Sequence, residues 1–422
     1  MKYPWISTLL ACASVHGAAA QDPQHIDAAP AAREARDPGS PAGPVVRVSG
    51  NRLVDGAGHT LQLRGVNVSG LEFYPILNAA DQDYWGGQTP KLRAIQAWHA
   101  NAIRVPLNEQ SYLQQTCFQP RAPGSKPSAQ SADPLKKYRT LVRALVDDAT
   151  HQGMYVILDL HKNAPAAVIA GSDTALQICS ISSAQQEMAD AGNSVAFWRA
   201  VASDYRDYPN VIFDLFNEPH IDNFIAPAGA ADAVGGVWTV LRDGGVGKLL
   251  YGNNQAITQN WNSAGMQALL DAVRSTGAAN VVMAAGLSWS QDNSQWLRFA
   301  PVDPRKQLAL SWHAYPKFGA EFGTAAYNEP GLGMVAYRWA EAILNSGYPI
   351  IIGETGDHSA AGTQTAPFLA ILLPWADAHS VSVLGWGWNA WGAPSANLIK
   401  DASGTPTDGY GQAFRSWMLN HR

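Results

Sequence analysis

Short apolar runs and longer amphipathic segments alternate along this chain, and the alternation constrains its fold more than any other feature. The apolar runs cover residues 63–68, 102–106, 155–161, 211–217, 281–285, 308–313, 350–354 and 383–388. Helical periodicity marks residues 135–151, 195–205, 261–275, 335–346 and 366–378. Because helices repeatedly follow strands, the strands are expected to run parallel in one sheet.

Polar and aromatic residues end nearly every apolar run, which favours a closed barrel over an open sheet. These residues are Asn67, Arg104, His161, Asn217, Glu218, Trp289, His313, Tyr315, Glu354, Trp386 and Trp388. In a barrel the carboxyl ends of all strands converge on one face. An open doubly wound sheet would need a glycine-rich phosphate turn, and neither GxGxxG nor GxxxxGK occurs in that context. We therefore predict an α/β fold, a (β/α)8 TIM barrel.

Two further features are predicted outside the eight units. Residues 46–63 alternate apolar and polar side chains around Asp55-Gly56 and Gly58, which predicts an N-terminal β-hairpin below the barrel. Connections 108–133, 163–193 and 220–260 are longer than a barrel needs. All three follow the carboxyl ends of strands, so we expect long loops on the face where such barrels hold their sites.

The first 44 residues differ in composition from the rest of the chain. Lys2, an apolar run over 5–15 and small residues at 18–20 predict a signal peptide spanning 1–20. Residues 21–44 are rich in Ala and Pro and predict a disordered tether, which leaves 45–422 as the catalytic domain. A competing interpretation takes Cys12 as a lipoprotein processing site. Both predict export, to a secreted or periplasmic location.

Charge and cysteine content narrow the possible partners. The formal net charge is -5 and the basic residues are scattered, which argues against nucleic acid. No apolar stretch after the leader reaches the roughly 18 residues of a membrane span, and we expect a monomer. Without the leader, Cys117 and Cys179 form an even pair. A disulfide in an oxidising compartment and two free buried thiols both remain open.

Two of the apolar runs deliver a carboxylic acid at their ends. Glu218 follows residues 211–217, and Glu354 ends the run 350–354. Hydrolysis of a glycosidic bond with retention requires two carboxyl groups roughly 5 to 5.5 Å apart, one acid and one nucleophile. Because strands four and seven can face each other across a barrel mouth, the sequence favours this chemistry.

The motifs at the strand ends resemble those of glycoside hydrolase family 5, from about residue 45 to the C-terminus. They are the segments 63–67, 101–106, 158–161, 216–219, 313–315, 353–354 and the Trp-rich 386–388. The resemblance implies that Glu354 is the nucleophile and Glu218 the general acid/base. It implies no cofactor and no metal, and the His-x-His motif of metal-dependent hydrolase barrels is missing from the first strand.

The resemblance also implies supporting roles for residues at the other strand ends. Arg104 and Tyr315 would hold the Glu354 carboxylate, and Asn217 would contact the sugar 2-OH. His161 and His313 would orient the substrate and the acid/base. The residues expected to contact sugar are Trp386 or Trp388, Trp289, Asn67, Phe73, Tyr74 and Trp85. Asp159 is interpreted as a structural carboxylate.

The predicted function is endo-acting hydrolysis of a β-linked polysaccharide, a β-1,4-glucan, by double displacement. β-Mannanase, β-1,3-glucanase and transglycosylase activities remain open, because fold and catalytic residues do not separate them. A non-catalytic, secreted carbohydrate-binding barrel is a further alternative. The partner expected in each case is a polysaccharide or oligosaccharide.

Overall fold

A computed structural model describes most of the predicted catalytic domain. The described residues are 43–76, 91–114, 132–163, 186–221, 224–225, 236–251, 257–316, 335–357, 366–390 and 397–421. The predicted signal peptide, nearly all of the predicted tether, Cys12, Trp85, Cys117 and Cys179 lie outside these ranges. The disulfide and the two free thiols therefore both stay predictions for Cys117 and Cys179.

Eight parallel strands close into a barrel, which confirms the predicted fold class. In barrel order they are β4 (Arg64–Asn67), β5 (Ala102–Asn108), β6 (Tyr155–Lys162), β7 (Val211–Asp214), β11 (Val282–Ala285), β12 (Leu308–Ala314), β13 (Ile350–Thr355) and β14 (Ser382–Gly385). Closure comes from β14 pairing with β4, with Val383 opposite Arg64. Each of the eight predicted apolar runs overlaps one of these strands.

Helices lie between the barrel strands and after the last one. They are α1 (Leu92–Gln96), α2 (Glu109–Tyr112), α3 (Ala132–His151), α4 (Asn193–Tyr205), α5 (Gly236–Asp243), α6 (Gly265–Arg274), α7 (Leu287–Ser290), α8 (Trp296–Phe299), α9 (Val335–Asn345), α10 (Leu369–His379) and α11 (Tyr410–Leu419), with a 3-10 helix at Leu71–Ile76. Their buried side chains pack against the outward-facing strand residues in one large apolar cluster. Within the described ranges, no helix is both long and apolar enough to cross a membrane.

The predicted N-terminal hairpin is a three-stranded antiparallel sheet, formed by β1 (Arg47–Ser49), β2 (Arg52–Val54) and β3 (Thr60–Leu61). The predicted turn around Asp55-Gly56 and Gly58 joins β2 to β3, and the Asp55 carboxylate organises it by accepting the backbone N–H groups of Ala57 and His59. An additional turn at Gly50, where φ is +56°, joins β1 to β2. The sheet covers the amino-terminal end of the barrel as expected.

The connection after β7 contains a second small sheet of β8 (Phe224–Ile225), β9 (Gly245–Tyr251) and β10 (Ile257–Ser263). The prediction of a helix from residue 261 was wrong at its start, because residues 257–263 pair with β9 and the helix α6 begins only at Gly265. Pairing of Trp261 with Gly247 buries the indole to 3% exposure. That tertiary burial overrides the local helical pattern.

Candidate active site

Arg104 is the centre of a charged cluster inside the upper half of the barrel. It is completely buried, and its guanidinium contacts three carboxylates. Nη1 lies 2.6 Å from Glu354 Oε1, Nη2 lies 3.1 Å from Asp159 Oδ2, and Nε lies 3.1 Å from Asp214 Oδ2. Burial alone would lower the pKa of Arg104, but these negative charges raise it above its ordinary value. The arginine therefore stays charged and fixes the carboxylates around it.

Two amides complete the shell around the same guanidinium. Arg104 Nη1 donates to Asn67 Oδ1 at 3.0 Å, and Nη2 donates to Asn217 Oδ1 at 2.9 Å. Asn67 is fully buried, and its own amide donates to the backbone carbonyls of Gly353 and Gly385. Asn67 thus connects the ends of β4, β13 and β14, and it lies buried below the site as a structural residue.

Glu354 ends strand β13 and is held from several sides. Besides Arg104, its Oε2 accepts the hydroxyl of Tyr315 at 3.1 Å and lies 3.6 Å from His313 Nδ1. Burial raises the pKa of Glu354, and the charge of Arg104 opposes that shift. The register between β12 and β13 shifts after Trp312, which sets His313 opposite Glu354. Such irregularities commonly redirect side chains beside active sites.

Glu218 lies beyond the regular end of β7, on a backbone with φ of +51°. Its side chain keeps 20% exposure, and Oε1 lies 3.1 Å from His313 Nδ1. One carboxyl oxygen of Glu218, one of Glu354 and a ring nitrogen of His313 all lie within 4.8 Å of one another. Burial lowers the pKa of His313 to about 4, so the ring is neutral near pH 7. Its Nδ1 lies between the two carboxyls, 3.1 Å from Glu218 and 3.6 Å from Glu354.

His161 and Trp386 form a second part of the site. His161 Nδ1 lies 2.7 Å from Asp159 Oδ2, and its ring stacks on Trp386 with centroids 5.4 Å apart. Burial lowers the pKa of His161. Burial also raises the pKa of Asp159, and the charge of Arg104 opposes that shift. Trp386 is half-buried, and its side chain is presented above the His161 ring.

The remaining predicted sugar contacts fall in different places. Trp388 is only 4% exposed and packs edge-on against Trp98 in the core, which favours Trp386 as the platform of the two. Trp289 is half-buried and stacks on His220. Phe73 is half-buried beneath the Lys162 ammonium, 5.6 Å from the ring centroid. The side chain of Tyr74 lies outside the described residues.

Asp214 and His220 belong to the site but were not predicted from the sequence as site residues. Asp214 follows the interior residue Ile212 by two positions, so the pleat turns both side chains into the barrel. A carboxylate on the inward face of an apolar strand was therefore a usable signal. His220 contacts the backbone of Glu218 through a local turn, and the sequence contained no comparable signal for it.

Glu218, His313 and Glu354 also have the spacing of a metal-binding group, the one such group within the described parts of the chain. Their ligand atoms already have partners. Glu354 is bonded by Arg104 and Tyr315, and Glu218 by the His313 ring. A buried guanidinium beside the carboxylates also disfavours a second cation. The arrangement suits proton and nucleophile chemistry better than metal coordination.

The sequence is similar to a glycoside hydrolase family model and to individual enzymes named as polysaccharide hydrolases. The family model described as cellulase (glycosyl hydrolase family 5) matches residues 54–392. An endoglucanase of Clostridium saccharobutylicum is 21% identical over 86% of this chain and 61% of its own length. A mannan endo-1,4-β-mannosidase of Streptomyces lividans is 24% identical over 82% of this chain and 66% of its own length. The chain spans between 26% and 66% of the length of such relatives.

Solved structures share the barrel. A β-glucanase from Saccharophagus degradans, determined in complex with cellotetraose, superposes with a TM-score of 0.57 at 18% identity and covers 90% of this chain and 94% of its own. At that identity the likeness establishes the fold. The family model spans most of the sequence, including every barrel strand, and the chain belongs to glycosyl hydrolase family 5.

Proposed function

We propose that this chain is a retaining, endo-acting glycoside hydrolase that cleaves a β-linked polysaccharide, a β-1,4-glucan. One observation carries the proposal: a carboxyl oxygen of Glu218 lies within 4.8 Å of one of Glu354. Retaining glycosidases have carboxyl groups about 5 to 5.5 Å apart, whereas inverting enzymes need about 6.5 to 9.5 Å to admit a water. The spacing supports direct attack by one carboxylate.

Glu354 is the proposed nucleophile. Its carboxylate would bond to the anomeric carbon while the bond from that carbon to the leaving oxygen breaks, giving a covalent glycosyl ester. Arg104 and Tyr315 hold the two carboxylate oxygens, at 2.6 and 3.1 Å. Both contacts stabilise the ionised form and orient it, which opposes the effect of burial on its pKa.

Glu218 is the proposed general acid/base. Two carboxyl groups this close disfavour double ionisation, so the pair is expected to hold one proton before the first step. That proton would pass from Glu218 to the glycosidic oxygen as the leaving sugar departs. In the second step Glu218 would take a proton from a water molecule whose oxygen bonds to the anomeric carbon, while the bond to Glu354 breaks and its carboxylate is released. In the tautomer with the proton on Nδ1, neutral His313 would donate to Oε1 of Glu218, and the transferred proton is then expected on Oε2.

Asn217 and Trp386 are proposed to bind the sugar at the cleavage point. The Asn217 carbonyl is anchored on Arg104, which directs the amide group for a contact with the sugar 2-OH. The half-buried Trp386 ring is stiffened by its stack on His161 and would lie under the sugar face. The role proposed for Asn217 is to bind more tightly as the oxocarbenium-like transition state forms.

The choice of β-1,4-glucan rests on the names of related proteins. Several relatives are named endoglucanases, and a structural neighbour was solved with cellotetraose. β-1,4-Mannan is the second candidate, because one relative that aligns over 82% of this chain is named a mannan endo-1,4-β-mannosidase. The two polymers differ at the 2-OH, next to which Asn217 is proposed to act.

A screen of polysaccharides tests the substrate. Reducing ends released from carboxymethylcellulose, galactomannan, xyloglucan, lichenan and laminarin are compared at equal enzyme concentration. We expect the largest release from carboxymethylcellulose, with viscosity falling well before reducing ends accumulate, because internal cuts shorten chains quickly. Larger release from galactomannan would support the second candidate. A folded protein that releases nothing from any of the five would support the non-catalytic carbohydrate-binding alternative.

The stereochemistry tests the mechanism independently of the polymer. Proton NMR during the first minutes of oligosaccharide cleavage should detect the β-anomer before mutarotation. Early α-anomer would contradict the double displacement. Longer oligosaccharides formed when an acceptor sugar is added would instead identify a transglycosylase, which uses the same ester but transfers it to a sugar.

We also propose that the chain is exported, with residues 1–20 as leader, 21–44 as tether and 45–422 as the catalytic domain. The N-terminal sequence of the mature protein tests this. Cleavage after residue 20 supports the leader, whereas acylation at Cys12 supports the lipoprotein.

A further inference from the structure

The backbone at Glu218 is held in a conformation that its sequence does not favour. Its φ of +51° lies in the left-handed region, which residues with a side chain rarely adopt. Pro219 follows, and a residue before proline prefers extended geometry. Because proline has no N–H, the peptide between Glu218 and Pro219 can be anchored through one group alone, the Glu218 carbonyl.

His220 binds that carbonyl. Its Nδ1 lies 2.8 Å from Glu218 O, and its own backbone N–H donates to Glu187 O at 3.1 Å. The side chain is 8% exposed, so the bond is largely shielded from water. The histidine therefore ties the peptide plane of Glu218 to the segment that precedes α4.

Trp289 holds His220 in turn. The two rings are nearly parallel, at 12°, with centroids 4.9 Å apart. The Trp289 backbone N–H donates to Pro219 O at 3.0 Å. Trp289 belongs to a left-handed turn after β11 in which Ser288, Trp289 and Ser290 have φ of 56°, 56° and 60°. Two unusual turns on neighbouring strands therefore brace each other.

We propose that His220 and Trp289 are positioning residues that hold the Glu218 carboxyl in line with the leaving-group oxygen, a role that rests on the proposed function. His313 fixes the carboxyl end of Glu218 and His220 fixes its backbone end. With both ends held, the proton is delivered along one direction as the glycosidic bond breaks. Loss of the backbone contact should misdirect the proton without removing it.

Three substitutions separate the two contacts of His220. His220→Phe keeps a ring against Trp289 but loses the donor to the Glu218 carbonyl. His220→Asn keeps a donor at the place of Nδ1 but loses the ring. His220→Gln moves the donor to the place of Nε2, away from that carbonyl. The comparison of Asn with Gln serves equally if the Phe variant does not fold, because both are polar and of similar bulk.

The readout is kcat/KM on two substrates of the same sugar, because this ratio reports the step in which the glycosidic bond breaks. Cellopentaose has a poor leaving group and needs a proton, whereas 2,4-dinitrophenyl β-cellobioside does not. Should the polysaccharide screen identify mannan, mannopentaose and the matching mannobioside replace them. His220→Phe and His220→Gln should lose about 30-fold on the pentaose and less than about 3-fold on the aryl glycoside. His220→Asn should recover most of the loss.

His379 supplies a matched control at the opposite end of the barrel. It has the same two contacts, with Nδ1 2.8 Å from Trp375 O and its ring 4.7 Å from the Trp375 ring. His379→Phe should leave both substrates at wild-type rates. The positioning role would be overturned if His220→Phe lost kcat/KM equally on the two substrates. The same conclusion would follow if His220→Gln, compared with His220→Asn, lost kcat/KM equally on both. Failure of the proposed function looks different, because Glu354→Gln and Glu218→Ala would then also retain activity.

Discussion

The two ends of the barrel interior differ sharply in chemistry although the same strands build both. At the amino-terminal end the interior is apolar, and Ala102 and Ile212 belong to a cluster that the N-terminal sheet covers with Val46 and Leu53. Two residues further along, Ala102 is followed by Arg104 and Ile212 by Asp214, both fully buried and ion-paired to each other.

Residues only two positions apart on the same strand therefore divide between those that stabilise the fold and those that serve the site. Burial of apolar side chains stabilises by about 25 cal/mol per Å². Burial of charges stabilises little or costs free energy, because desolvation offsets the attraction between the ions. The upper cluster is therefore explained better by chemistry than by stability. Substitutions at the two ends should therefore separate effects on stability from effects on activity.

The largest expected effect is on activity alone. Glu354→Gln should reduce kcat/KM by about 10^4-fold or more, because the amide cannot attack the anomeric carbon. Stability in urea should be unchanged or higher, because a buried acid whose pKa is raised by burial is removed. Glu341→Gln is the matched control, since Glu341 accepts a bond from Trp375 Nε1 at the far end of the barrel, away from the site. Near-normal turnover of Glu354→Gln would remove it from the proposed role.

Arg104→Met should damage both activity and stability. It leaves Asp214 and Glu354 buried without their cation, at a cost of about 3 to 5 kcal/mol in the free energy of unfolding. Arg274→Met is the control, because Arg274 forms a buried pair with Asp303 through two bonds of 2.8 Å outside the site. Urea unfolding should detect both losses, but only the first should abolish hydrolysis. A stable Arg104→Met protein would contradict the central place of this cation.

Leu53→Ala should change stability alone. Leu53 is 2% exposed and belongs to the apolar cluster at the amino-terminal end of the barrel, the apolar floor. Its truncation should lower the free energy of unfolding by about 2 to 4 kcal/mol, through lost burial and a cavity. The expected kcat/KM, measured well below the melting temperature, equals that of the wild type. A selective loss of activity would indicate that the floor and the site are coupled, and the division between the two ends would fail.

The smallest expected effect is a pH slope at Glu72. Burial raises the pKa of Glu72 from 4.5 to about 7. The folded state therefore binds the proton more tightly than the unfolded state, and the stability this contributes at low pH is lost as pH rises through 7. Between pH 5 and 8 the free energy of unfolding of the wild type should decline by an amount on the order of 1 to 3 kcal/mol, and Glu72→Gln should remove this decline. Urea unfolding at a series of pH values measures it.

Asp401→Asn is the control for that slope. Its bond from Ser403 lowers the pKa of Asp401 to about 2, so this exposed group does not titrate between pH 5 and 8. The control should follow the wild-type curve. A Glu72→Gln curve that also follows the wild type would show that Glu72 does not titrate in this range.

The barrel and the positions of the two acids could be predicted from the amino-acid sequence. Strand and helix periodicities are local, and Glu218 and Glu354 end their runs in any parallel closure of eight units. The inward carboxylate Asp214 could also have been found from its two-residue offset to Ile212, by the same alternation.

Only the tertiary structure decided how the strand ends are arranged. Trp386 and Trp388 have the same parity, but the regular pleat ends at Gly385, so packing against His161 or Trp98 separates them. The same holds where Trp261 joins a strand instead of a helix. The alternation of side chains along a strand specifies which of them point into the barrel, but only within the strand. Beyond the strand end, contacts with residues distant in sequence decide which side chain reaches the site.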